Sequence, residues 1–194
     1  MIIRPAQPTD VSEIVNLTRL AADGLIEFLF DDFTREATLE ELLKAGVLAE
    51  VGVLSYRNTD VAVCQDQVVG IATSYPASQH QMTAEMKQLF AAERLSILEE
   101  FYQSRVEGSW YLDTLGVHPK FQHQGIGTQL LQATKEKAKK QHYQQLSLIV
   151  FTDNITALSL YQKQGFQQVK LIQIGNHPQL PQQKSCILMQ CDLV

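Results

Sequence analysis

The sequence has few of the residues that build cross-linked, metal-binding or membrane-spanning proteins. Its three cysteines are odd in number and contain no Cys-x-x-Cys pair, which argues against a disulfide framework and against a zinc site. No apolar run reaches the roughly 18 residues that cross a bilayer. The first residues also lack the basic, apolar and small-residue regions of a secretory signal. We therefore expect a cytoplasmic protein with no bound metal and no membrane partner.

An excess of basic residues is also absent. Lys and Arg number 16 against 21 Asp and Glu, which gives a formal net charge of −5. Proteins that bind nucleic acid depend on neutralising phosphates with basic side chains, so we do not expect nucleic acid as a partner. With 45% hydrophobic and 19% charged residues, the 194-residue chain has the composition of a globular domain, with or without an insertion.

The spacing of apolar residues predicts a mixed α/β fold. A strand at Ile2 and Ile3 precedes two helices, which begin near Asp10 and Thr38 and each carry a glutamate at capping-box spacing. Two β-rich runs around residues 66–67 indicate an antiparallel hairpin. The remaining segments are a helical stretch (82–102), a strand (109–117), a helix ending at Lys140, a strand (146–151), a helix capped by Asn154, and two strands (166–174 and 185–193).

Two glycines stand where a strand gives way to a helix, in the stretch QHQGIG at residues 122–127. The unpaired amides and the dipole of a helix N-terminus attract anions, and Gly125 and Gly127 would let phosphate oxygens approach the bare backbone. A dinucleotide-binding fingerprint requires a third glycine where Leu130 stands, and no Lys-Ser/Thr pair follows as in a P-loop. Taken alone, the pattern fits a phosphate site and a plain tight turn equally well.

The sequence around these glycines resembles the GNAT N-acetyltransferase superfamily. "VHPKFQHQGIGTQLL" is similar to motif A of that family, whose pattern Arg/Gln-x-x-Gly-x-Gly/Ala is filled by Gln122, Gly125 and Gly127. "NITALSLYQKQGF" is similar to motif B, with the following residues in register: Asn154, Ala157, Tyr161, Gly165 and Phe166. The motifs and their strands cover roughly residues 108–170. The resemblance implies one N-acetyltransferase domain over residues 1–194, with a central mixed sheet of about seven strands flanked by helices.

The resemblance implies acetyl-CoA as cosubstrate, with its pyrophosphate at the glycine turn. In the family, the strand before motif A is splayed from its neighbour and pairs with the pantetheine arm. The implied cofactor-binding residues are Leu115, Gly116, Val117, Gln122, His123, Gln124, Gly125, Ile126, Gly127, Thr128 and Asn154. Family members often have Arg-Gly where this chain has Gln122-His123, so Gln122 can donate a hydrogen bond to a phosphate but brings no charge.

Tyr161 and Asp113 are the candidate catalytic residues. Tyr161 matches the tyrosine that acts as general acid toward the coenzyme A sulfur in the family, and a phenol with a pKa of about 10 is protonated at neutral pH. The competing interpretation of Tyr161 is a core aromatic. Asp113 precedes Leu115 by two residues, so we expect both on one face of the strand. It is either a base or amine-orienting carboxylate or a plain polar strand residue, and Tyr111 on the same face is a second candidate.

The acceptor is expected to be a small-molecule or peptide amine. The family grips its acceptor partly between the first two helices, where this chain has EFLFDDF at residues 27–33. Carboxylates among aromatics attract a cationic amine, which makes Phe30, Asp31 and Asp32 substrate candidates together with Tyr111. In the competing interpretation the phenylalanines belong to the core and the acids are solvated.

About thirty residues, from Pro76 to Gly108, separate the third and fourth strands and are predicted to form a helical insertion. The insertion is expected to cover the acceptor groove or to form a contact in a homodimer. The alternative to an enzyme is a non-catalytic acyl-CoA-binding module that regulates a partner through this insertion. Tyr161 argues against the alternative, because binding alone needs no proton donor.

Overall fold

Seven strands form one mixed sheet in the computed structural model, which describes residues 1–31, 37–175, 177–180 and 185–193. They are β1 (Ile2–Pro5), β2 (Thr59–Cys64), β3 (Gln67–Pro76), β4 (Trp110–Val117), β5 (Gln145–Phe151), β6 (Gln167–Gln173) and β7 (Ser185–Asp192). Their order across the sheet is β1-β2-β3-β4-β5-β7-β6, and β4 with β5 is the single parallel pair among them. The predicted mixed α/β fold with a seven-stranded sheet is confirmed.

Helices cover both faces of this sheet. In chain order they are α1 (Val11–Ala22), α2 (Leu25–Phe30), α3 (Leu39–Leu48), α4 (Ala84–Leu89), α5 (Ala92–Ile97), α6 (Glu99–Gln103), α7 (Ile126–Lys140) and α8 (Ile155–Lys163). On one face α1 and α3 bury Ile14, Leu17 and Val47 against β2 and β3. On the other face α7 buries Leu130 and Leu131 against the middle strands. None of the helices in the described part of the chain is long and apolar enough to cross a membrane.

The predicted hairpin joins β2 to β3. Its turn residues Gln65 and Asp66 both have positive φ angles, 49° and 61°. Two-residue hairpin turns of type I′ require this backbone conformation at both central residues. The hairpin brings β3 into the centre of the sheet beside β4, and this position makes β3 one wall of the site described below.

One of the two predicted capping boxes forms and the other does not. At α3 the Thr38 hydroxyl accepts from the Glu41 amide at 3.2 Å, and Glu41 accepts from the Thr38 amide at 2.7 Å. At α1 the box of Asp10 with Glu13 is wrong. The Asp10 carboxylate instead accepts from the Arg4 guanidinium at 2.7 and 3.0 Å and from the Gln7 amide at 2.8 Å. This pairing turns the carboxylate away from the first turn of α1, which has no side-chain cap.

The insertion between β3 and β4 is helical, as predicted, but it consists of the three short helices α4, α5 and α6. Extended backbone at Phe90 and Ala91 separates the first two, so the apolar spacing of residues 82–102 does not produce one continuous helix. Leu95 and Leu98 pack with Phe28 of α2 and with Ile172 and Leu188 of the outer strands. The insertion thus packs beside α2 against the part of the sheet formed by β6 and β7.

Candidate active site

A wedge opens between β4 and β5. The two strands pair only from Trp110 to Leu112, opposite Leu146 to Leu148, whereas β4 continues to Val117 and β5 to Phe151. Beyond Leu112 the backbone of β4 has no strand partner on this side, although β5 stays paired with β7 along its whole length. This is the divergence of strands that the resemblance implied.

The backbone groups of Leu115 and Val117 face the wedge. The His118 amide donates to Val69 of β3 at 2.9 Å, and alternation along β4 then directs Gly116 toward β3 and its two neighbours toward the open side. The Gln122 side-chain amide reaches the Val117 carbonyl at 3.1 Å, which agrees with this direction. Gly116 is explained by packing instead, because a Cβ there would lie 2.9 Å from the Leu17 carbonyl oxygen of α1.

The glycine turn lies at the N-terminus of α7, which follows the open end of β4. Gly125 is the N-cap residue with a φ of 80°, no side chain caps the helix, and the Gln129 amide makes the bond to the Gly125 carbonyl. The three preceding amides of residues 126–128 are the donors that a helix leaves unpaired. A Cβ on Gly127 would make only ordinary contacts, at 3.5 and 3.9 Å, so packing does not demand this glycine. Both observations suit an anion that approaches the backbone.

Among the polar side chains around the turn, Gln124 and Asn154 have partners within the protein, whereas His123 and Thr128 are exposed. Gln124 donates to the Lys120 carbonyl at 3.3 Å, and His123 is exposed with a φ of 60°. Asn154 accepts from the Ala157 amide at 3.0 Å and caps α8, as predicted. Thr128 is exposed on the first turn of α7, and Ile126 is buried beneath it. Contacts of these residues with a cofactor stay predictions.

Tyr161 of α8 combines a core position with an unengaged hydroxyl. Its side chain is 7% exposed, its ring lies 5.6 Å from that of Phe166, and it joins the cluster that contains Leu112 and Leu148 on either side of the wedge. Burial raises the pKa of Tyr161 far above its ordinary value, so the phenol is protonated at neutral pH. Its hydroxyl makes no hydrogen bond with any residue in the described ranges. The phenol is also near enough to Tyr111 to contribute to the raised pKa of that residue.

A β-bulge in β4 determines where Asp113 points. Thr114 pairs with Thr73 of β3 and Leu112 with Ser74, which leaves Asp113 as an extra residue. The bulge places Asp113 beside Thr114 in the cleft under α1, whereas Leu115 packs on the opposite face with the α7 cluster. The prediction that Asp113 and Leu115 share a face is therefore wrong, because the bulge interrupts the alternation on which it depended.

The Asp113 carboxylate is held by two hydroxyl donors and is exposed to solvent. The Tyr75 hydroxyl donates to Oδ1 at 2.6 Å, and the Thr114 hydroxyl donates to Oδ2 at 3.0 Å. Burial, and then the charge of Asp113, raises the pKa of Tyr75 well above its ordinary value. Tyr75 was not among the residues predicted from the sequence, because its position opposite Tyr111 depends on the register of β3 and β4.

An aromatic cluster lies beneath Asp113. Tyr111 is 1% exposed, and its ring centroid lies 5.7 Å from that of Tyr75 and 4.4 Å from that of His80. Burial, and then Asp113, raises the pKa of Tyr111. His80 of the insertion, also missed in the sequence, lies 3.1 Å from the Phe101 carbonyl, and its burial lowers its pKa although Asp113 opposes this. Tyr111 shares the face of Asp113, as predicted, but it supports the site from below.

Phe30 at the end of α2 and Asp31 directly after it are engaged by other parts of the chain. The Phe30 ring packs edge-on against Phe90 at 4.8 Å. Asp31 forms an ion pair with the buried Arg94 at 3.4 Å and accepts a hydrogen bond from Gln179. Asp32 lies outside the described residues. Phe28 and Phe30 therefore pack as the competing interpretation expected, whereas the charge of Asp31 is paired.

Asp113 lies in a cleft between α1, α3 and the β3–β4 pair. Within the described ranges, no group of three or more His, Cys, Asp or Glu side chains is arranged to hold a metal.

A sequence profile of the acetyltransferase (GNAT) family matches residues 26–166, which is more than half of the chain. The chain belongs to the GNAT acetyltransferase family. This GNAT chain is 25% identical to a crystal structure described as an acetyltransferase, over 100% of both chains and with a TM-score of 0.70. It has the fold of an N-acetyltransferase from Staphylococcus aureus Mu50, with 21% identity, a TM-score of 0.72, and 97% and 100% of the two chains covered.

Among curated proteins, the GNAT chain is 42% identical over 55 residues to YdhI, an uncharacterized protein of Bacillus subtilis strain 168. The match covers 28% of this chain and spans about a third, 34%, of that relative. Family membership and fold confirm the resemblance seen in motifs A and B, and they support an acetyltransferase.

Proposed function

We propose that the protein transfers an acetyl group from acetyl-CoA to a primary amine by direct attack of the amine. The observation that carries this proposal is the wedge between β4 and β5 with the uncapped glycine turn at its open end. The two features together offer main-chain partners for an extended, amide-containing chain that ends in a pyrophosphate. Acetyl-CoA supplies the activated acetyl group as a thioester, and membership of the GNAT family supports it as the donor.

The residues at the wedge fit this cosubstrate by their chemistry. The free amides of residues 126–128 and the dipole of α7 favour the pyrophosphate, and Gly125 and Gly127 keep side chains out of its way. Backbone groups of Leu115 and Val117 would pair with the pantetheine amides. The amide at Leu115 would also donate to the thioester oxygen, which develops negative charge during attack. Gln122 reaches a phosphate by exchanging its bond to the Val117 carbonyl.

The reaction also requires proton transfers at the attacking nitrogen and at the leaving sulfur. The nitrogen lone pair attacks the carbonyl carbon, a C–N bond forms, and the C–S bond breaks with its electron pair going to sulfur. Tyr161 donates its proton to that sulfur and regains one from solvent, and burial keeps the phenol protonated beforehand. A bound ammonium first loses one proton through a water to Asp113 or to solvent, which frees the lone pair for attack. The nitrogen loses a second proton by the same route after the C–N bond has formed. The products are an acetylated amine and the free thiol.

Asp113 is the carboxylate that draws the acceptor. Its oxygens are oriented by Tyr75 and Thr114 while the group stays exposed in the cleft. Asp31 is less suited, because Arg94 already neutralises it. The roles of Phe30, Asp32 and Tyr111 toward the acceptor stay predictions, as does the homodimer.

The test compares coenzyme A binding with amine turnover in matched tyrosine variants. Calorimetry with coenzyme A and thiol release from acetyl-CoA across a panel of amines are measured for wild type, Tyr161→Phe and Tyr143→Phe. We expect Tyr161→Phe to bind coenzyme A like wild type while kcat falls by at least about 100-fold, the usual contribution of a general acid. Tyr143 packs against Trp110 at the other end of β4, so its variant should keep wild-type kcat.

Two results would contradict the proposal in different ways. If wild type does not bind coenzyme A, the wedge is not a cosubstrate site. If it binds coenzyme A but acetylates no amine, and Tyr161→Phe behaves identically, the protein is a regulatory acyl-CoA-binding module.

A further inference from the structure

We propose that His80 of the insertion is a positioning residue for the acceptor amine, because it holds the tyrosine pair that orients the Asp113 carboxylate. The inference rests on the acetyl transfer proposed above and assigns the insertion a part in acceptor binding. It follows from the burial of His80, from its hydrogen bond and from the contacts that lead from its ring to Asp113.

The orientation of the His80 ring is fixed by α6. The residue is 2% exposed, and its Nε2 atom lies 3.1 Å from the Phe101 carbonyl oxygen. Because a carbonyl oxygen only accepts hydrogen bonds, Nε2 carries a proton, and in the neutral imidazole the lone pair is on Nδ1. The ring also packs edge-on against Phe101, at 5.3 Å between centroids, and stacks on Tyr102 at 5.6 Å. These contacts leave the imidazole a single packed position.

A continuous set of contacts leads from His80 to Asp113. The imidazole centroid lies 4.4 Å from that of Tyr111, whose ring in turn lies 5.7 Å from that of Tyr75. Tyr75 and Tyr111 are paired residues of β3 and β4, and the Tyr75 hydroxyl donates to Asp113 Oδ1 at 2.6 Å. Because closely packed side chains transmit displacements, loss of the His80 ring should shift the tyrosine pair and with it the donor to the carboxylate.

Asp113 is the charged member, at neutral pH, of this cluster of ionisable side chains. The uncharged members are Tyr75, His80, Tyr102 and Tyr111. Burial raises the pKa of the three tyrosines and lowers that of His80, although the charge of Asp113 opposes the change in His80. No cation within the cluster therefore competes with an acceptor ammonium for Asp113.

The contacts of His80 are separate from the glycine turn. In the described part of the chain, the ring contacts and hydrogen bonds of His80, Tyr75 and Tyr111 involve no residue of α7 or of the turn before it. Binding of coenzyme A should therefore be independent of His80, whereas the KM for the amine should depend on it.

The experiment separates the ring of His80 from its hydrogen bond. His80→Gln keeps an N–H donor for the Phe101 carbonyl but removes the ring against Tyr111, and His80→Phe keeps a ring there. With the best amine of the panel, we expect His80→Gln to raise KM about tenfold, with kcat within about threefold of wild type and coenzyme A affinity unchanged by calorimetry. In His80→Phe the KM should stay within about threefold of wild type.

His177→Gln is the matched control. It also removes an imidazole from an aromatic contact, since the His177 ring packs edge-on against Phe28 at 4.9 Å. That contact does not lead to Asp113, so the KM for the amine should stay within about twofold of wild type.

Asp113→Asn tests whether His80 acts through Asp113. Asparagine has the shape of aspartate but no charge, so its orientation matters much less to an ammonium group. His80→Gln should change kcat/KM by less than about twofold in the Asp113→Asn background, against about tenfold in the wild-type background. A general packing defect would lower kcat/KM equally in both backgrounds.

The outcomes separate the two proposals. An unchanged KM in His80→Gln, or an equal effect in both backgrounds, overturns the role of His80 and leaves acetyl transfer intact. Failure of wild type to acetylate any amine overturns the proposed function together with this inference. If His80→Gln does not fold, Tyr102→Leu replaces it by removing the ring stacked on His80. Its KM should rise about threefold, and an equal rise in Asp113→Asn again overturns the proposal.

Discussion

At the scale of single residues, the position of one carboxylate depends on a bulge of one residue. Asp113 was identifiable in the sequence as a polar residue on an apolar strand, but its face was not. A bulge arises from how β4 pairs with β3, and the sequence of β4 alone reads as a regular strand. For the same reason Tyr75, 38 residues away in the chain, was missed as the partner of Asp113.

The Tyr75 hydroxyl should matter for acceptor binding more than for stability. Tyr75→Phe keeps the ring beside that of Tyr111 but removes the donor to Asp113, whose exposed carboxylate should then turn toward water. We expect KM for the amine to rise roughly tenfold, with a stability loss of about 1 kcal/mol. Steady-state kinetics, coenzyme A calorimetry and urea unfolding would measure these effects. A KM for the amine that is unchanged, or that changes only as much as in Tyr143→Phe, would show that Tyr75 does not position Asp113.

At the scale of elements, local signals predicted structure well and competing partners explain the exceptions. The glycine turn and the Asn154 cap depend on residues within one turn of a helix, and both are found where the sequence placed them. The two capping-box spacings were indistinguishable in the sequence. Only the position of Arg4 on β1, which pairs with β2, shows that Asp10 has a stronger partner than the first turn of α1.

The Arg4 pair of Asp10 predicts that part of the stability is lost in acid. The Arg4 hydrogen bonds, followed by the backbone bond of Gln7, lower the pKa of Asp10 in the folded state, against the opposing effect of burial. Stability from a lowered pKa is present above the unfolded value of about 3.9 and is lost as pH falls through the folded value. Asp10→Asn should lose about 1–2 kcal/mol at neutral pH and show a smaller loss on acidification than wild type.

Thr38→Ala provides the comparison for Asp10→Asn. It removes the hydroxyl that caps α3 and should lose about 1 kcal/mol of unfolding free energy at neutral pH. Urea unfolding of both variants and of wild type between pH 7 and about pH 2 measures the difference. An acid dependence in Asp10→Asn as steep as that of wild type would show that the Arg4 pair is not the source.

At the scale of the whole molecule, one buried cation links the insertion to α2, in addition to the apolar packing between them. Arg94 of α5 is 4% exposed, donates to the Phe28 carbonyl and lies 4.9 Å from the Phe28 ring centroid. It also pairs with Asp31, so α2 and the insertion share a charge network. The sequence predicted a helical insertion at this place, but contacts between residues more than 60 positions apart are set by tertiary packing. No local sequence pattern predicts these contacts.

We propose from this network that residues 1–194 fold as one domain, and unfolding provides the test. Trp110, the single tryptophan, reports on the core at the start of β4, whereas far-ultraviolet circular dichroism reports on all helices, including those of the insertion. The two urea transitions should coincide in wild type. Arg94→Met keeps a hydrocarbon against Phe28 but removes the hydrogen bond and the ion pair, and should lower the unfolding free energy by about 2–3 kcal/mol. Because the insertion and the sheet share one core, both transitions should move together in this variant. A circular dichroism transition that precedes the fluorescence transition would instead make the insertion a separate unit docked on α2.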